Sequence, residues 1–461
     1  MSDYNFLMES RLSPEQFRVT SHLSQLATQQ GLNLYLVGGA VRDLTYGQQT
    51  IRDLDFAVEG SPQRILRRLE TAGSARPSRE GSRQEQATSV AVSQLRFDAR
   101  LNAAEITFAN GVRAELAMCR TETYSKAGRK PEVAPAMVFE DLRRRDFSVN
   151  AMAVSLHPNS RGLLLDPTNG AADIEKHELR VLHRASFLED PSRIYRLFRL
   201  GLRLDFKAEE RTRSWLDSAL ENRVMEQMDP EQQGRELRAI LQESHPGRIL
   251  KRLLTVRGLL PGLDKKLAAS RIPYDRFTRI RSVVSGIPGA DTFLLNFHCL
   301  VEKLGAAQEA RLAKKIIPDS KTRKQALSLE RDAKKVARVL GSAKAGLPSQ
   351  VYALLSQQPQ PLLLFLLAYY PQAKIRTRVK NFLFKFPQVR AKLPRAELQA
   401  LGVKPGPAFE KILERVFLDQ LDGKIRTPQQ LTKALRALAG IKEAASRVPS
   451  SAAGARRPKK R

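Results

Sequence analysis

The stretch that decides the fold lies at residues 36–43 and reads LVGGAVRD. Its apolar start predicts the end of a short strand, and the two glycines predict that the chain turns directly into a helix. Glycine lets the backbone approach a ligand closely, and the free amides at a helix start attract anionic oxygens. Gly38, Gly39 and Arg42 are therefore candidate ligands of a phosphate chain. A tight strand-to-helix turn without any ligand would show the same pattern.

A pair of acidic residues follows, because residues 53–55 read DLD. In a strand, residues two apart point to the same face, so the carboxylates of Asp53 and Asp55 are predicted to lie side by side. Like charges so close repel each other, and a divalent cation relieves the repulsion. Two metal ions ~3.5–4 Å apart can activate an attacking hydroxyl and stabilise a leaving pyrophosphate. The pair is a candidate catalytic metal site, although Asp-x-Asp also arises by chance.

A third acidic side chain, Glu115, lies in a segment whose alternation predicts a strand over 112–119. Glu115 is a candidate metal ligand if this strand lies beside the one that carries the two aspartates. Otherwise it is an ordinary solvent-facing glutamate.

The next motif covers residues 144–153 and reads RRDFSVNAMA. On a helix, Asp146 and Asn150 would share one face at a spacing of four residues, beside Arg145. Short polar groups next to an arginine suit the hydroxyls of a ribose. The alternative is an exposed charged face without a ligand.

The last motif covers residues 187–199 and reads FLEDPSRIYRLFR. Asp190 and Arg193, three residues apart at a predicted helix start, can reach one ligand together. Cytosine and adenine both present an amine donor beside a ring-nitrogen acceptor, which a carboxylate and a guanidinium complement. Arg196 and Arg199 follow on the same helix and are candidates for further nucleotide contacts. The alternative is that Asp190 only caps the helix.

Composition gives the class of protein and of partner. The 461 residues are 42% hydrophobic and 27% charged, as in a globular protein of two to four domains. Lys and Arg number 78 against 48 Asp and Glu, a net charge of +30 that favours a polyanionic partner over a mere aid to solubility. The apolar run at 362–370 is too short to span a membrane. With two cysteines far apart and no signal peptide, we expect a cytoplasmic protein without a membrane partner.

In their order along the chain, these motifs resemble the class II tRNA nucleotidyltransferase and bacterial poly(A) polymerase superfamily over about residues 33–260. Two further motifs belong to the resemblance, DPTNG at 166–170 and GREL at 234–237. It implies an α/β N-terminal head with a mixed sheet, the polymerase-β-like nucleotidyltransferase fold, followed by an all-α neck, body and tail. The expected domains are the catalytic head at 1–155, the helical neck with the nucleotide-recognition motif at 156–265, the helical body and tail that bind tRNA at 266–445, and a disordered basic tail at 446–461.

The resemblance also implies a role for each motif residue. Two Mg²⁺ ions would be held by Asp53 and Asp55, and a mobile loop would lie at about 121–137. The other expected contacts are with the triphosphate (Gly38, Gly39, Arg42), the ribose (Arg145, Asp146, Asn150), the base (Asp190, Arg193) and further parts of the nucleotide (Arg196, Arg199).

The expected activity is addition of CCA, or part of it, to the 3′ end of tRNA from CTP and ATP, with release of pyrophosphate. The alternatives are an enzyme that adds only A or only C, then a poly(A) polymerase, then a tRNA-binding protein without catalysis. No protein partner is implied.

Overall fold

The structure is a computed structural model that describes residues 3–74, 90–124, 131–256, 272–287 and 289–440. The chain forms two compact units, Met1–Thr278 with Asn296–Arg323, and Arg279–Leu295 with Lys324–Arg461. The predicted boundaries at residues 155 and 265 remain predictions. The predicted basic tail at 446–461, and part of the predicted loop at 121–137, lie outside the described residues.

The first unit contains a seven-stranded mixed sheet in the order β3-β4-β5-β2-β1-β8-β9. β2 and β5 run parallel and the other neighbours in this sheet are antiparallel. Two small sheets pair β6 with β7 and β10 with β11. The strands are β1 (Asn33–Val37), β2 (Leu54–Glu59), β3 (Val92–Asp98), β4 (Ala103–Phe108), β5 (Arg113–Met118), β6 (Arg120–Thr123), β7 (Glu132–Pro135), β8 (Ala153–Ser155), β9 (Leu164–Leu165), β10 (Glu178–Leu179) and β11 (Lys207–Ala208).

Helices surround this sheet and make up most of the chain after it. Those of the first part of the chain are α1 (Tyr4–Arg11), α2 (Pro14–Gln29), α3 (Gly39–Tyr46), α4 (Gln63–Ser74), α5 (Val138–Arg143), α6 (Gly170–Glu175), α7 (Ser186–Glu189), α8 (Ser192–Leu204), α9 (Glu210–Glu221), α10 (Pro230–Leu241) and α11 (Pro246–Thr255).

The later helices are α12 (Tyr274–Val284), α13 (Phe293–Val301), α14 (Ala306–Ile316), α15 (Ser320–Gly341), α16 (Pro348–Leu355), α17 (Gln360–Tyr369), α18 (Ala373–Lys380), α19 (Phe386–Ala391), α20 (Arg395–Ala400), α21 (Pro407–Leu421) and α22 (Pro428–Leu438). In the part of the chain that the structure describes, none of the helices has the length and apolarity needed to cross a bilayer.

Local sequence explains the elements that position the site. Ser13 and Gln16 form a reciprocal capping box at the start of α2, with Pro14 in the first turn. The central strand β2 is held by apolar side chains that leave almost no surface to solvent, since Leu54, Phe56 and Val58 are all at most 1% exposed. A strand fixed in this way sets the position of the residues at its start.

The predicted fold class is confirmed, with a mixed-sheet head followed by a helical remainder. Two local predictions need correction. Residues 144–153 do not form a helix, because α5 ends at Arg143 and the backbone of Phe147 pairs with Val181 before a single 3₁₀ turn at Ser148–Asn150. The predicted neck is not purely helical either, because β9, β10 and β11 lie within it.

Candidate active site

The turn between β1 and α3 has a backbone that favours glycine. Gly38 has φ +68° and ψ −130°, a region that residues with a side chain rarely adopt. A Cβ at this position would lie 3.1 Å from Arg145 Nη1 and 3.3 Å from Asp55 Oδ2. Glycine is therefore needed both for the turn and for the close approach of a guanidinium and a carboxylate.

The acidic pair lies at the start of β2, against this turn. Asp55 is opposite Val37 of β1 and opposite Glu115 of β5, so the two strands are neighbours, which is the condition that the sequence analysis left open for Glu115. Asp53 precedes the strand, is 48% exposed, and forms an ion pair with Arg113 at 2.9 Å. The two carboxylates differ in environment, one partly buried at the turn and the other at the surface.

Charge and burial both act on Asp55. Burial raises its pKa first, the like charges of Glu115 and Asp53 raise it further, and Arg145 and Arg42 oppose them, so that the pKa reaches about 6. This surplus of acidic oxygen is what a magnesium ion neutralises, because Mg²⁺ prefers carboxylate and water ligands. Within the described residues, no three His, Cys, Asp or Glu side chains converge on one point, so Glu115 acts on Asp55 as a neighbouring charge in this arrangement.

The predicted phosphate ligand Arg42 is buried, with 2% of its surface exposed. Its Nε and Nη2 donate to Asp43 Oδ1 at 2.8 and 2.7 Å, and its Nη1 donates to Asn150 Oδ1 at 2.5 Å. The guanidinium lies under the glycine turn, since a Cβ on Gly39 would be 3.5 Å from its Nη2. Asp43 and Asn150 thus fix its orientation beside the helix start.

Arg145 lies at the same turn and is held by a residue that the sequence analysis did not single out. Its Nη2 and Nε donate to Asp141 Oδ2 at 2.8 and 3.2 Å, and Asp141 Oδ1 accepts from Arg144 Nη2 at 2.5 Å. Burial alone would raise the pKa of Asp141, but the two arginines outweigh it and hold that pKa below its usual value. Arg145 is therefore fixed beside the glycine turn, where its Nη1 would lie 3.1 Å from a Cβ on Gly38, and its contact with the ribose stays a prediction.

The predicted ribose pair, Asp146 and Asn150, is in contact although the segment is not helical. Asp146 Oδ1 accepts from Asn150 Nδ2 at 3.0 Å and from the backbone amide of Phe147 at 2.8 Å. Asp146 Oδ2 accepts from Arg196 Nη1 at 3.2 Å. Since Asn150 also accepts from Arg42, one chain of hydrogen bonds connects the glycine turn with α8.

The predicted base-recognition pair lies at the start of α8 and is buried, with Asp190 7% and Arg193 3% exposed. Arg196 Nη2 donates to Asp190 Oδ2 at 3.0 Å, so Arg196 connects the expected ribose and base positions. Arg193 donates to Ser186 Oγ at 2.6 Å and to the backbone carbonyl of Arg144 at 2.9 Å. Both members of the pair are thus fixed by protein partners.

These groups line one cavity of about 400 Å³. The predicted residues at its wall are Gly38, Gly39, Asp55, Glu115, Arg145, Asp146, Asn150, Asp190, Arg193 and Arg196. Asp53, Arg42 and Arg199 do not line it. Arg199 lies instead between Glu236 and Glu243, with nitrogen-to-oxygen distances of 3.4 and 3.7 Å.

The cavity also has a wall that the sequence analysis missed. Asp229, Gln232 and Arg235 line it from the first turns of α10 and the residue that caps that helix. Their spacing of three residues places them on one helix face, which is the signal that could have found them. Arg100, Arg120 and Tyr124 line it from the sheet side.

The DPTNG motif at 166–170 forms the start of helix α6 in the first unit. Asp166 accepts hydrogen bonds from the amides of Gly170 and Ala171 at 2.7 and 2.9 Å, which caps the start of α6. Asn169 adopts the left-handed conformation just before that helix. The motif thereby fixes α6, which packs on the 3₁₀ turn that carries Asn150.

Residues 34–180, which hold the glycine turn, the acidic pair and the Asp146–Asn150 contact, match the family described as "Poly A polymerase head domain". This part of the chain is similar to a poly A polymerase head domain. The matched residues end just before α7 and α8, so the predicted base-recognition pair lies beyond the match.

Relatives of the whole chain carry names of one class. An A-adding tRNA nucleotidyltransferase of Halalkalibacterium halodurans is 26% identical over 428 residues, 92% of each chain. A CC-adding tRNA nucleotidyltransferase of Deinococcus radiodurans is 28% identical over 439 residues, 94% of this chain and 96% of the other. The chain spans only about half, 47%, of the A-adding enzyme of Geobacter sulfurreducens, with 25% identity.

A solved structure shares the fold around and beyond the head domain. An apo form of a CCA-adding enzyme superposes with a TM-score of 0.52 at 24% identity, over 95% of this chain and 99% of the other. The likeness supports the architecture of a sheet-containing head followed by helices.

Proposed function

We propose that this protein is a template-independent nucleotidyltransferase that adds CCA, or part of it, to the 3′ end of tRNA. CTP and ATP would be the nucleotide donors and pyrophosphate the leaving group. The observation that carries the proposal is one cavity whose wall holds Gly38, Asp55 and Asp190, the expected phosphate, metal and base positions respectively.

The phosphate and metal end of the cavity suits transfer of a nucleotidyl group. Asp53 and Asp55 offer carboxylate oxygens for Mg²⁺ beside a helix start. Burial first, and then the negative charges of Glu115 and Asp53, raise the pKa of Asp55, and a bound cation would stabilise its ionised form. Mg²⁺ would there activate the attacking hydroxyl of the RNA and stabilise the leaving pyrophosphate. Arg42 and Arg145 are fixed by carboxylates beside the glycine turn and would steady the phosphates.

The base end of the cavity suits a choice between nucleotides without a template. Asp190 can accept from the exocyclic amine of cytosine or adenine, and Arg193 can donate to their ring nitrogens. Uracil would direct an acceptor at the carboxylate and leave a buried polar group mismatched, which costs a large factor in selectivity. The net charge of +30 suits a phosphate-rich partner.

Partial addition is the alternative closest to this proposal. The relatives that match over nearly their whole length are named A-adding and CC-adding enzymes, so this chain can belong to either specialised kind. The roles proposed for the site residues do not distinguish among the three activities.

One experiment distinguishes these activities and the remaining alternatives. The purified protein is incubated with Mg²⁺ and one labelled nucleotide at a time, on three tRNA substrates that lack CCA, CA or only the terminal A. CMP on the first two and AMP on the third supports full CCA addition, while one nucleotide alone supports a specialised enzyme. Long A tails on generic RNA would indicate a poly(A) polymerase, and no incorporation would refute nucleotide transfer.

A further inference from the structure

One carboxylate oxygen of Asp190, Oδ1, already accepts more hydrogen bonds than it has lone pairs. Its Oδ1 accepts from the backbone amide of Ser192 at 3.0 Å, from Ser192 Oγ at 2.5 Å and from Gln232 Nε2 at 2.8 Å. Its Oδ2 accepts from Arg196 Nη2 at 3.0 Å. Each oxygen of an ionised carboxylate has two lone-pair positions, so Oδ1 has one donor more than positions while Oδ2 keeps one position. A base that donates its amine to Oδ1 therefore has to replace one of its three donors.

The four donors are not equally replaceable. Ser192 is the first residue of α8 and lies two residues after Asp190, so both of its hydrogen bonds belong to the start of that helix. Arg196 is charged and is held by two more carboxylates, with Asp146 at 3.2 Å and Glu236 at 3.4 Å. Its departure from Asp190 would break a buried ion pair, which is costly.

Gln232 is the one neutral donor that comes from another element. It lies on α10, 42 residues further along the chain, and lines the cavity where a nucleotide would bind. The bond to Asp190 is its sole side-chain hydrogen bond among the described residues. Because its donor is uncharged and lies on a separate helix, this bond can break without disrupting an ion pair or the start of α8.

The side-chain amide of Gln232 also resembles the amine-bearing edge of the base that would displace it. Its side-chain amide is an NH₂ on a planar carbon next to an acceptor oxygen. Cytosine and adenine carry an NH₂ on a planar ring carbon next to an acceptor nitrogen. We propose that Gln232 is a specificity-determining residue that occupies the amine position of the base site and is displaced only by a base that brings an amine of its own.

This inference rests on the proposed function, because it assumes that Asp190 recognises the base. It makes a prediction about direction. If Gln232 competes with the base, its removal strengthens nucleotide binding, since Asp190 no longer has to give up a partner. If Gln232 merely supported Asp190 in its bound position, the same change would weaken binding or leave it unaltered.

The test uses Gln232→Met, which keeps a similar size without a polar amide, and Gln232→Ala in the full-length protein. Dissociation constants for CTP, ATP and UTP are measured by calorimetry with Mg²⁺ present. We expect both variants to bind CTP and ATP about ten-fold more tightly than the wild type, the factor that one hydrogen bond to a charged group supplies. UTP, which has no amine to use the vacated acceptor, should gain less.

Unaltered or weaker binding of CTP and ATP by Gln232→Met would overturn the inference, and so would an equal gain for UTP. Gln358→Met, at a glutamine of the second unit whose amide donates only within its own helix segment, is the matched control and should leave all three constants unchanged. The wild type separates this result from the proposed function. If the wild type bound neither CTP nor ATP, the base site itself would be wrong, whereas normal wild-type binding without a gain in the variants would reject only the role of Gln232.

Discussion

Gly38→Ala tests how closely the backbone of the glycine turn determines the chemistry. At φ +68° and ψ −130° an alanine costs ~1–3 kcal/mol of folding free energy, which lowers the melting temperature of a unit of this size by roughly 2–12 °C. The added methyl would also stand 3.1 Å from Arg145 Nη1 and 3.3 Å from Asp55 Oδ2. One of the two groups must then move by a few tenths of an ångström. Because a shift of ~1 Å can cost ~10²-fold in rate, we expect kcat to fall about ten- to a hundredfold.

The assay is single-turnover transfer of CMP or AMP to tRNA, with thermal unfolding recorded on the same samples. Gly31→Ala is the matched control, since Gly31 has φ +62° but no heavy atom within 4 Å of the added carbon. It should lose stability and keep its rate. A Gly38→Ala protein that melts at a lower temperature but transfers nucleotides at the wild-type rate would refute the reasoning.

Four further changes have expected outcomes. Asp53→Ala should abolish nucleotide transfer. Its affinity for tRNA, measured by filter retention, should stay within about two-fold of the wild type, since many cationic side chains share the binding of RNA. Loss of both transfer and tRNA binding would contradict this prediction. Because the pKa of Asp55 is about 6, the folded protein takes up a proton there as the pH falls from 7 to 5, and Mg²⁺ must displace it. Mg²⁺ affinity, titrated at pH 7.5 and 5.5, should therefore drop several-fold, and Glu115→Gln should move the drop to lower pH. Asp141→Ala should destabilise the protein in urea by about 3 kcal/mol, because it removes the buried ion-pair partner of Arg145, while Arg144 keeps Glu122. Asp190→Ala should erode the rejection of UTP more than it changes Mg²⁺ affinity, and unchanged rejection would count against its role.

Local signals were sufficient for the elements that position the phosphate end of the site. The change from an apolar run to two glycines predicted β1 and α3, because strand, turn and helix signals lie within ten residues of each other. The alternation of polar and apolar residues likewise predicted β5, and its pairing with β2 brings Glu115 opposite Asp55. The sequence alone did not show whether these two strands are neighbours, because strand pairing depends on the three-dimensional fold.

The base end of the site depends on contacts between segments that are distant in the sequence. A helix over 144–153 was wrong because the backbone of Phe147 pairs with Val181, a partner that no local pattern indicates. The contact of Gln232 with Asp190 joins residues 42 positions apart, and the role of Asp141 depends on where Arg145 turns after α5 ends. The residue types in these segments indicated a polar site, but the spacing of residues along the sequence did not predict which side chains contact each other.

The central claim is that Asp55 holds the metal needed for nucleotide transfer. Its most direct test is single-turnover transfer of CMP or AMP by Asp55→Asn, in the presence of Mg²⁺, to tRNA that lacks all or part of its 3′ CCA. This change keeps the size of the side chain and removes the charge that would hold the metal beside the glycine turn. We expect no product above the background without enzyme, while Glu105→Gln, which neutralises an exposed carboxylate two strands away, transfers normally. An Asp55→Asn protein that extends tRNA at the wild-type rate would contradict the account.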